Sequence, residues 1–186
     1  MLPCRVRRGC ASASRSASRA HRPAFIGKGR YAATITKVII HFICRGNSFR
    51  SIIAEAYLNS LKFKNLTAVS SGTTAALDRT GNLAAYTETL QLLAEKGIRE
   101  FAKVGYGDQL TRARLEEADV VICMNQRVYD ECHRLVTLPG GTRIWSVADI
   151  GEPGRVADTG PRKRLCREEA YQEIVEGVGQ LISEIS

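Results

Sequence analysis

Val38-Ile39-Ile40-His41-Phe42-Ile43-Cys44-Arg45-Gly46-Asn47-Ser48-Phe49-Arg50-Ser51-Ile52-Ile53-Ala54-Glu55-Ala56-Tyr57-Leu58 is the stretch on which the fold turns. Its first six residues form a β-branched, apolar run of strand length, and from Ile52 onward the apolar positions take up helical spacing. The octapeptide Cys44 to Ser51 is therefore a strand-to-helix loop. Five residues between a cysteine and an arginine can wrap into a cradle whose backbone N–H groups, together with the helix N-terminus, point at one small anion. A thiol at its floor has the helix dipole and the Arg50 guanidinium beside it, and both favour the thiolate. Such a site binds a tetrahedral oxyanion and attacks it. A Cys-x5-Arg spacing alone says little, but of the six cysteines only Cys44 has it, and Gly46, Asn47 and Ser51 suit a tight anion nest.

Outward from this loop, strand-like and helix-like segments alternate. The spacing predicts strands at Val38–Ile43, Leu66–Ser70, Asp119–Cys123 and Thr142–Val147. It predicts helices at Ser51–Leu61, Leu83–Lys96 closed by Gly97, Thr111–Glu117, Gln126–Leu135 and Arg167–Ile185. In the last of these, Tyr171, Ile174, Val175, Val178, Leu181, Ile182 and Ile185 share one face. The expectation is an α/β fold: a three-layer sandwich with a four-stranded parallel sheet flanked by helices. Ligands in such folds sit at the carboxyl ends of the strands near a topological switch point, where Cys44, Ser70 and Asn125 all fall.

The charge is unevenly placed. Residues 1–37 hold nine of the 27 Lys and Arg and none of the 19 Asp and Glu, so the formal +8 belongs to this end of the chain. Residues 1–36 are read as a disordered, basic, Arg- and Ser-rich tail or leader, and 37–186 as the folded domain. The leader is taken as a disordered extension or an upstream start, with organelle import as the alternative. The folded part has neither a contiguous basic face nor base-stacking aromatics, so no nucleic-acid partner is expected. No stretch of 18 apolar residues occurs, which argues against a membrane role. The cysteines, at 4, 10, 44, 123, 132 and 166, form no CxxC pair and no regular framework. That usage fits a reducing, cytoplasmic compartment and no metal site. Oligomeric state leaves no signal.

The loop resembles that of the low-molecular-weight protein tyrosine phosphatases, which share their fold with thioredoxin-coupled arsenate reductases. Cys44, Gly46, Asn47, Arg50 and Ser51 match the family's phosphate loop. Ser70-Ser71-Gly72-Thr73 looks like its Ser-x-Gly-Thr segment, Lys96-Gly97-Ile98 like its Gly-Ile turn, and Asp119 to Met124 like its third strand. The resemblance implies a phosphomonoester hydrolase of phosphotyrosine-like specificity, acting on a phosphorylated protein or a small phosphomonoester through a phosphocysteine and without a cofactor. Cys44 would be the nucleophile and Arg50 the bidentate clamp on two phosphoryl oxygens, with the backbone of Arg45, Gly46, Asn47, Ser48, Phe49 and Arg50 cradling the phosphate. Ser51 would hydrogen-bond the sulfur, and Asn47, in a left-handed conformation, would be held by Ser51 and Ser70.

The family's general acid is an Asp after the fourth strand, usually followed by Pro. In Trp145-Ser146-Val147-Ala148-Asp149-Ile150-Gly151-Glu152-Pro153 the preferred match is Asp149, with Glu152 as the alternative. Three departures bear on specificity and redox behaviour. Phe49 stands where relatives often carry a second cysteine, Ala76 stands at an aromatic wall position, and Gly105 takes the place of a histidine that supports the loop asparagine. Two rival readings are an arsenate reductase and a catalytically silent phosphate-binding module. The first needs relay cysteines after the third strand, where Asn125 stands at the first relay place, Cys132 at the second and Cys123 two positions early. His41 reads as a core residue or one that supports the site from behind, and Trp145 as a packing residue.

Overall fold

The computed structural model describes residues 37–77, 79–147 and 161–185. Four strands, β1 (Val38–Cys44), β2 (Leu66–Gly72), β3 (Val120–Cys123) and β4 (Arg143–Ile144), form one sheet in the order β2-β1-β3-β4. Every pairing is parallel. Around them lie α1 (Arg50–Ser60), α2 (Arg79–Glu95), α3 (Arg112–Glu116), α4 (Gln126–Leu135) and α5 (Pro161–Ile185), with a 3-10 turn at Arg99–Phe101. The α/β sandwich expected from the alternation is the fold observed.

Strand alternation divides the interior. On one face Ile40, Phe42 and Cys44 pack with Ile52, Ile53 and Ala56 of α1, Leu93 of α2, and Tyr171, Ile174, Val178 and Leu181 of α5. On the other, Ile43, Val121 and Cys123 meet Leu115 of α3 and Val128 and Cys132 of α4. Because β1 is buried on both faces and paired on both edges, it reads as the unbroken apolar run seen in the sequence. β2 and β3 lie on either side of β1, and the chain leaves toward opposite edges, so the topological switch point sits at the carboxyl end of β1. Cys44 occupies that end, in register with Gly72.

Several boundaries differ from the expected ones for identifiable reasons. Helix α2 begins four residues before Leu83, in a first turn, Arg79-Thr80-Gly81-Asn82, that carries no apolar periodicity. Helix α5 begins at Pro161 rather than Arg167, with proline at the first helical position where its missing N–H costs nothing. The fourth strand is two residues long instead of six. Trp145 and Val147 still donate to the carbonyls of Cys123 and Met124, both at 2.9 Å, so the segment follows β3 without completing a ladder. Gly97, at φ 71°, ends the α2 region as foreseen, with Ile98 N–H returning to the Leu93 carbonyl at 2.9 Å.

Candidate active site

The loop after β1 is held from outside by its carbonyl oxygens. Thr73 N–H donates to Cys44 O (3.0 Å), Thr74 N–H to Arg45 O (2.9 Å), Gly107 N–H to Asn47 O (3.1 Å) and Thr89 Oγ1 to Ser48 O (2.8 Å). Phe49 O accepts from Ile53 N–H at 2.9 Å, inside the first turn of α1. With these carbonyls taken up by the surrounding scaffold, the N–H ends of the same peptide units are turned the other way, the arrangement that an anion cradle requires. Phe49, at the N-cap of α1, makes no side-chain capping bond among the described residues, so the helix N-terminus can serve the same purpose. Two glycines allow the close fit: a Cβ on Gly46 would lie 2.1 Å from Asn82 Oδ1, and one on Gly72 would lie 2.3 Å from the Arg45 carbonyl oxygen.

Around the sulfur the side chains form one connected network. Cys44 Sγ is 3.0 Å from Ser51 Oγ and accepts Asn47 N–H at 3.2 Å. Asn47, at φ 48°, lies in the left-handed region that asparagine tolerates better than most residues. Its Nδ2 donates to Ser51 Oγ (3.0 Å) and to Ser70 Oγ (2.8 Å). Ser70 in turn donates to Glu55 of α1, whose carboxyl is pushed up by burial. The amide oxygen of Asn47 accepts from Lys103 Nζ at 2.6 Å and from Asp108 N–H at 3.0 Å. Cys44, Asn47, Ser51 and Ser70 are all buried, so every one of these polar groups depends on its partner.

Arg50 opens α1 and is buried, with Nη1 donating to the Val147 carbonyl at 3.0 Å. That carbonyl also receives Asn125 Nδ2 at 3.5 Å. The guanidinium is thereby tied to the chain just before residues 148–160. Asp149 and Glu152, the two carboxylates proposed as general acid, lie outside the described residues, as does the basic segment 1–36. On the rim, Arg45 pairs with Glu131 of α4 at 3.0 Å, and Glu131 also accepts from Thr73 Oγ1 at 2.6 Å. Ser48 Oγ contacts Asn82 Oδ1 at 3.4 Å, and Phe49 packs into the core. Of the residues proposed from sequence, the fold brings Cys44, Arg45, Gly46, Asn47, Ser48, Phe49, Arg50, Ser51 and Ser70 together.

Lys103, Glu55, Thr89 and Glu131 were not foreseen. Lys103, Thr89 and Glu131 reach the loop from elements distant in sequence, while Glu55, on α1 itself, meets it through Ser70; of the long-range partners only Ser70, through the Ser-x-Gly-Thr resemblance, gave a signal. His41 sits behind the site with Nε2 2.7 Å from Ser71 Oγ. Burial, with the charges of Arg114 and Lys103, lowers it to about 4, so it is a neutral core residue at neutral pH. Asn125 caps α4 by accepting from Val128 N–H at 2.9 Å. Cys123 and Cys132 are fully buried with their sulfurs 4.0 Å apart, and the hydrogen bond between them, then burial, pushes the Cys132 thiol up. A protonated, inaccessible thiol is poorly placed to act as a relay nucleophile.

The chain belongs to the low molecular weight phosphotyrosine protein phosphatase family, whose model matches residues 39–153. It is thus one of the cysteine-dependent protein phosphatases. Among solved structures, the tyrosine phosphatase Wzb from Escherichia coli K30, in complex with sulphate, is 21% identical with a TM-score of 0.62, over 81% of this chain and 100% of that one. Wzb of Vibrio vulnificus, in complex with benzylphosphonate, is 21% identical with a TM-score of 0.60, over 79% of this chain and 98% of that one. The YwlE arginine phosphatase from Geobacillus stearothermophilus is 25% identical with a TM-score of 0.50, over 79% and 94%. Comparison with curated protein sequences gives no significant match.

Proposed function

We propose that the chain hydrolyses phosphomonoesters in two steps through a phosphocysteine on Cys44. The observation that carries this reading is the Cys44 sulfur between Ser51 Oγ and Asn47 N–H, at the carboxyl end of β1 and inside a loop whose carbonyls face away from it. Cys44 Sγ attacks phosphorus and the ester oxygen departs, protonated by Asp149. Water, activated by the resulting carboxylate, then displaces the sulfur and releases phosphate. Loop N–H groups and Arg50 hold the three equatorial oxygens through both steps, and Arg50 leaves the Val147 carbonyl for bidentate contact with two of them. Ser51 donates to the sulfur both as attacking thiolate and as leaving group.

The substrate is a phosphorylated protein or a small phosphomonoester. Relatives of this fold include proteins named as tyrosine and as arginine phosphatases, and Ala76 is exposed where an aromatic wall would stand, so phosphotyrosine is one acceptable substrate and not a required one. A reducing compartment such as the cytoplasm fits a mechanism that requires a free thiol. The test is burst and steady-state release of p-nitrophenol from its phosphate ester in EDTA. Turnover is expected in the native chain and none in Cys44→Ser or Arg50→Ala. Hydrolysis that survives Cys44→Ser, or that EDTA abolishes, overturns the mechanism; phosphate binding without any turnover makes the chain a silent phosphate-binding module.

A further inference from the structure

Lys103 lies between the 3-10 turn Arg99–Phe101 and two glycines, Gly105 and Gly107, that adopt positive φ of 89° and 73°. Its backbone is pinned, since Tyr86 Oη donates to the Lys103 carbonyl at 2.7 Å. Its side chain runs inward, only 15% exposed, and the ammonium meets three acceptors: Asn47 Oδ1 at 2.6 Å, Asp108 Oδ2 at 2.9 Å and Ser70 O at 3.3 Å. An ammonium has three donors and no acceptor, so this set uses its full capacity. The charges around it are Asp108, which also pairs with Arg114 at 3.1 Å, and Glu55 beyond Ser70, while His41 behind the site is neutral.

An asparagine amide has an accepting side and a donating side. Lys103 Nζ and Asp108 N–H both present donors to Asn47, so the oxygen must face them and Nδ2 must face Ser51 and Ser70. Ser51 Oγ then receives a hydrogen from Asn47, and its own hydrogen is left for the Cys44 sulfur. With the amide reversed, Ser51 would donate to the Asn47 oxygen and the sulfur would lose its hydroxyl donor. We propose that Lys103 is a positioning residue for the thiol chemistry: as the shorter and charged of the two donors to the Asn47 oxygen, beside the Asp108 N–H, it holds the amide in one orientation and so directs the Ser51 hydroxyl toward Cys44. It acts at two removes and touches neither substrate nor sulfur. This deepens the phosphatase reading and rests on it for the rate consequences alone.

The test reads the sulfur directly. Iodoacetamide alkylation of Cys44 is followed by mass spectrometry in the full chain from pH 5 to 9, in the absence of substrate. In Lys103→Met, alkylation at pH 6 is expected to be about tenfold slower than in the native chain, the scale of one charge-assisted hydrogen bond, with the two rates converging by about pH 9. With p-nitrophenyl phosphate, kcat is expected to fall about tenfold with KM within about twofold, and the acidic limb of the kcat/KM profile to move to higher pH. Lys103→Arg, which keeps the charge and donors, is expected to recover most of both. Native alkylation and pH profile in Lys103→Met overturn the proposal, and so does a slowing equal at every pH, which marks general loosening. Lys103→Gln is read in the same way where the Met variant does not fold, and failure of both to fold assigns Lys103 a purely structural role. A native chain that alkylates as described yet hydrolyses nothing would refute the phosphatase reading and leave the role of Lys103 standing.

Discussion

Gly72→Ala tests how closely the end of β2 and the phosphate loop are fitted. The added Cβ would sit 2.3 Å from the Arg45 carbonyl oxygen, 2.8 Å from Asn47 N and 3.0 Å from the Arg45 carbonyl carbon, all of them backbone atoms. A carbon and an oxygen in ordinary contact are about 3.3 Å apart, so roughly 1 Å must be found by moving backbone, since no flexible side chain can give way. Overpacking of this kind costs about 1–3 kcal/mol, which for a domain of this size lowers Tm by about 3–10 °C. The loop also carries the chemistry: Asn47 N–H donates to the Cys44 sulfur, and a 1 Å error in a catalytic group costs about a hundredfold. Gly72→Ala is therefore expected to lose about two orders of magnitude in kcat/KM for p-nitrophenyl phosphate while remaining folded, as read by circular dichroism and thermal unfolding. Gly179→Ala is the control, because among the described residues its Cβ meets nothing within 4 Å, and in a helix the change should stabilise by up to about 1 kcal/mol. Native kcat/KM in Gly72→Ala would refute the claim that the loop is fixed by this contact.

If Asp149 is the proton donor, Asp149→Asn should slow hydrolysis of alkyl phosphates by at least about a hundredfold and of good leaving groups much less, whereas the same signature in Glu152→Gln would transfer the role. His41 is held neutral when folded, at about 4 against 6.5 in the unfolded chain, so the unfolded state takes up a proton first as pH falls. Its contribution should cost about 3 kcal/mol of stability between pH 7 and pH 4; urea unfolding should show a smaller loss in His41→Gln. The raised carboxyl of Glu55 acts in the opposite sense, so the difference between the two proteins is the quantity to compare. Peroxide should inactivate the enzyme at Cys44 with incomplete recovery in dithiothreitol, because Phe49 occupies the adjoining position that a resolving thiol would need; full recovery through a Cys44–Cys132 bridge would contradict the buried setting of Cys132.

The central strand and the loop were legible because their signals are local. An apolar run ending on Cys44, a turn of Gly46 and Asn47, and a helical pattern from Ile52 together specify where a thiol meets a helix N-terminus. The left-handed Asn47 and its bonds to Ser51 and Ser70 followed once the resemblance was drawn. Lys103 was illegible for a physical reason: its contact with Asn47 spans 56 residues and depends on the path of a loop shaped by Gly105 and Gly107. Replacement of a supporting histidine by Gly105 suggested a lost support, when the support comes from two residues upstream. The short β4 was equally hidden, because hydrophobic alternation reports a side-chain pattern, whereas the extent of a ladder depends on how far the neighbouring strand reaches.

The outward capture of the loop carbonyls means that the octapeptide is not a portable motif. Thr73, Thr74, Thr89 and Gly107 belong to two connecting segments and a helix, all remote in sequence from Cys44, and together they act as a mould that sets the rotation of each peptide plane. A free or grafted Cys44–Ser51 peptide would have the same atoms with its peptide planes free to turn, and oxygen would face the anion as readily as nitrogen. Affinity for phosphate is thus stored in the tertiary structure, and it should vanish in one step with global unfolding, leaving no residual binding in the chain.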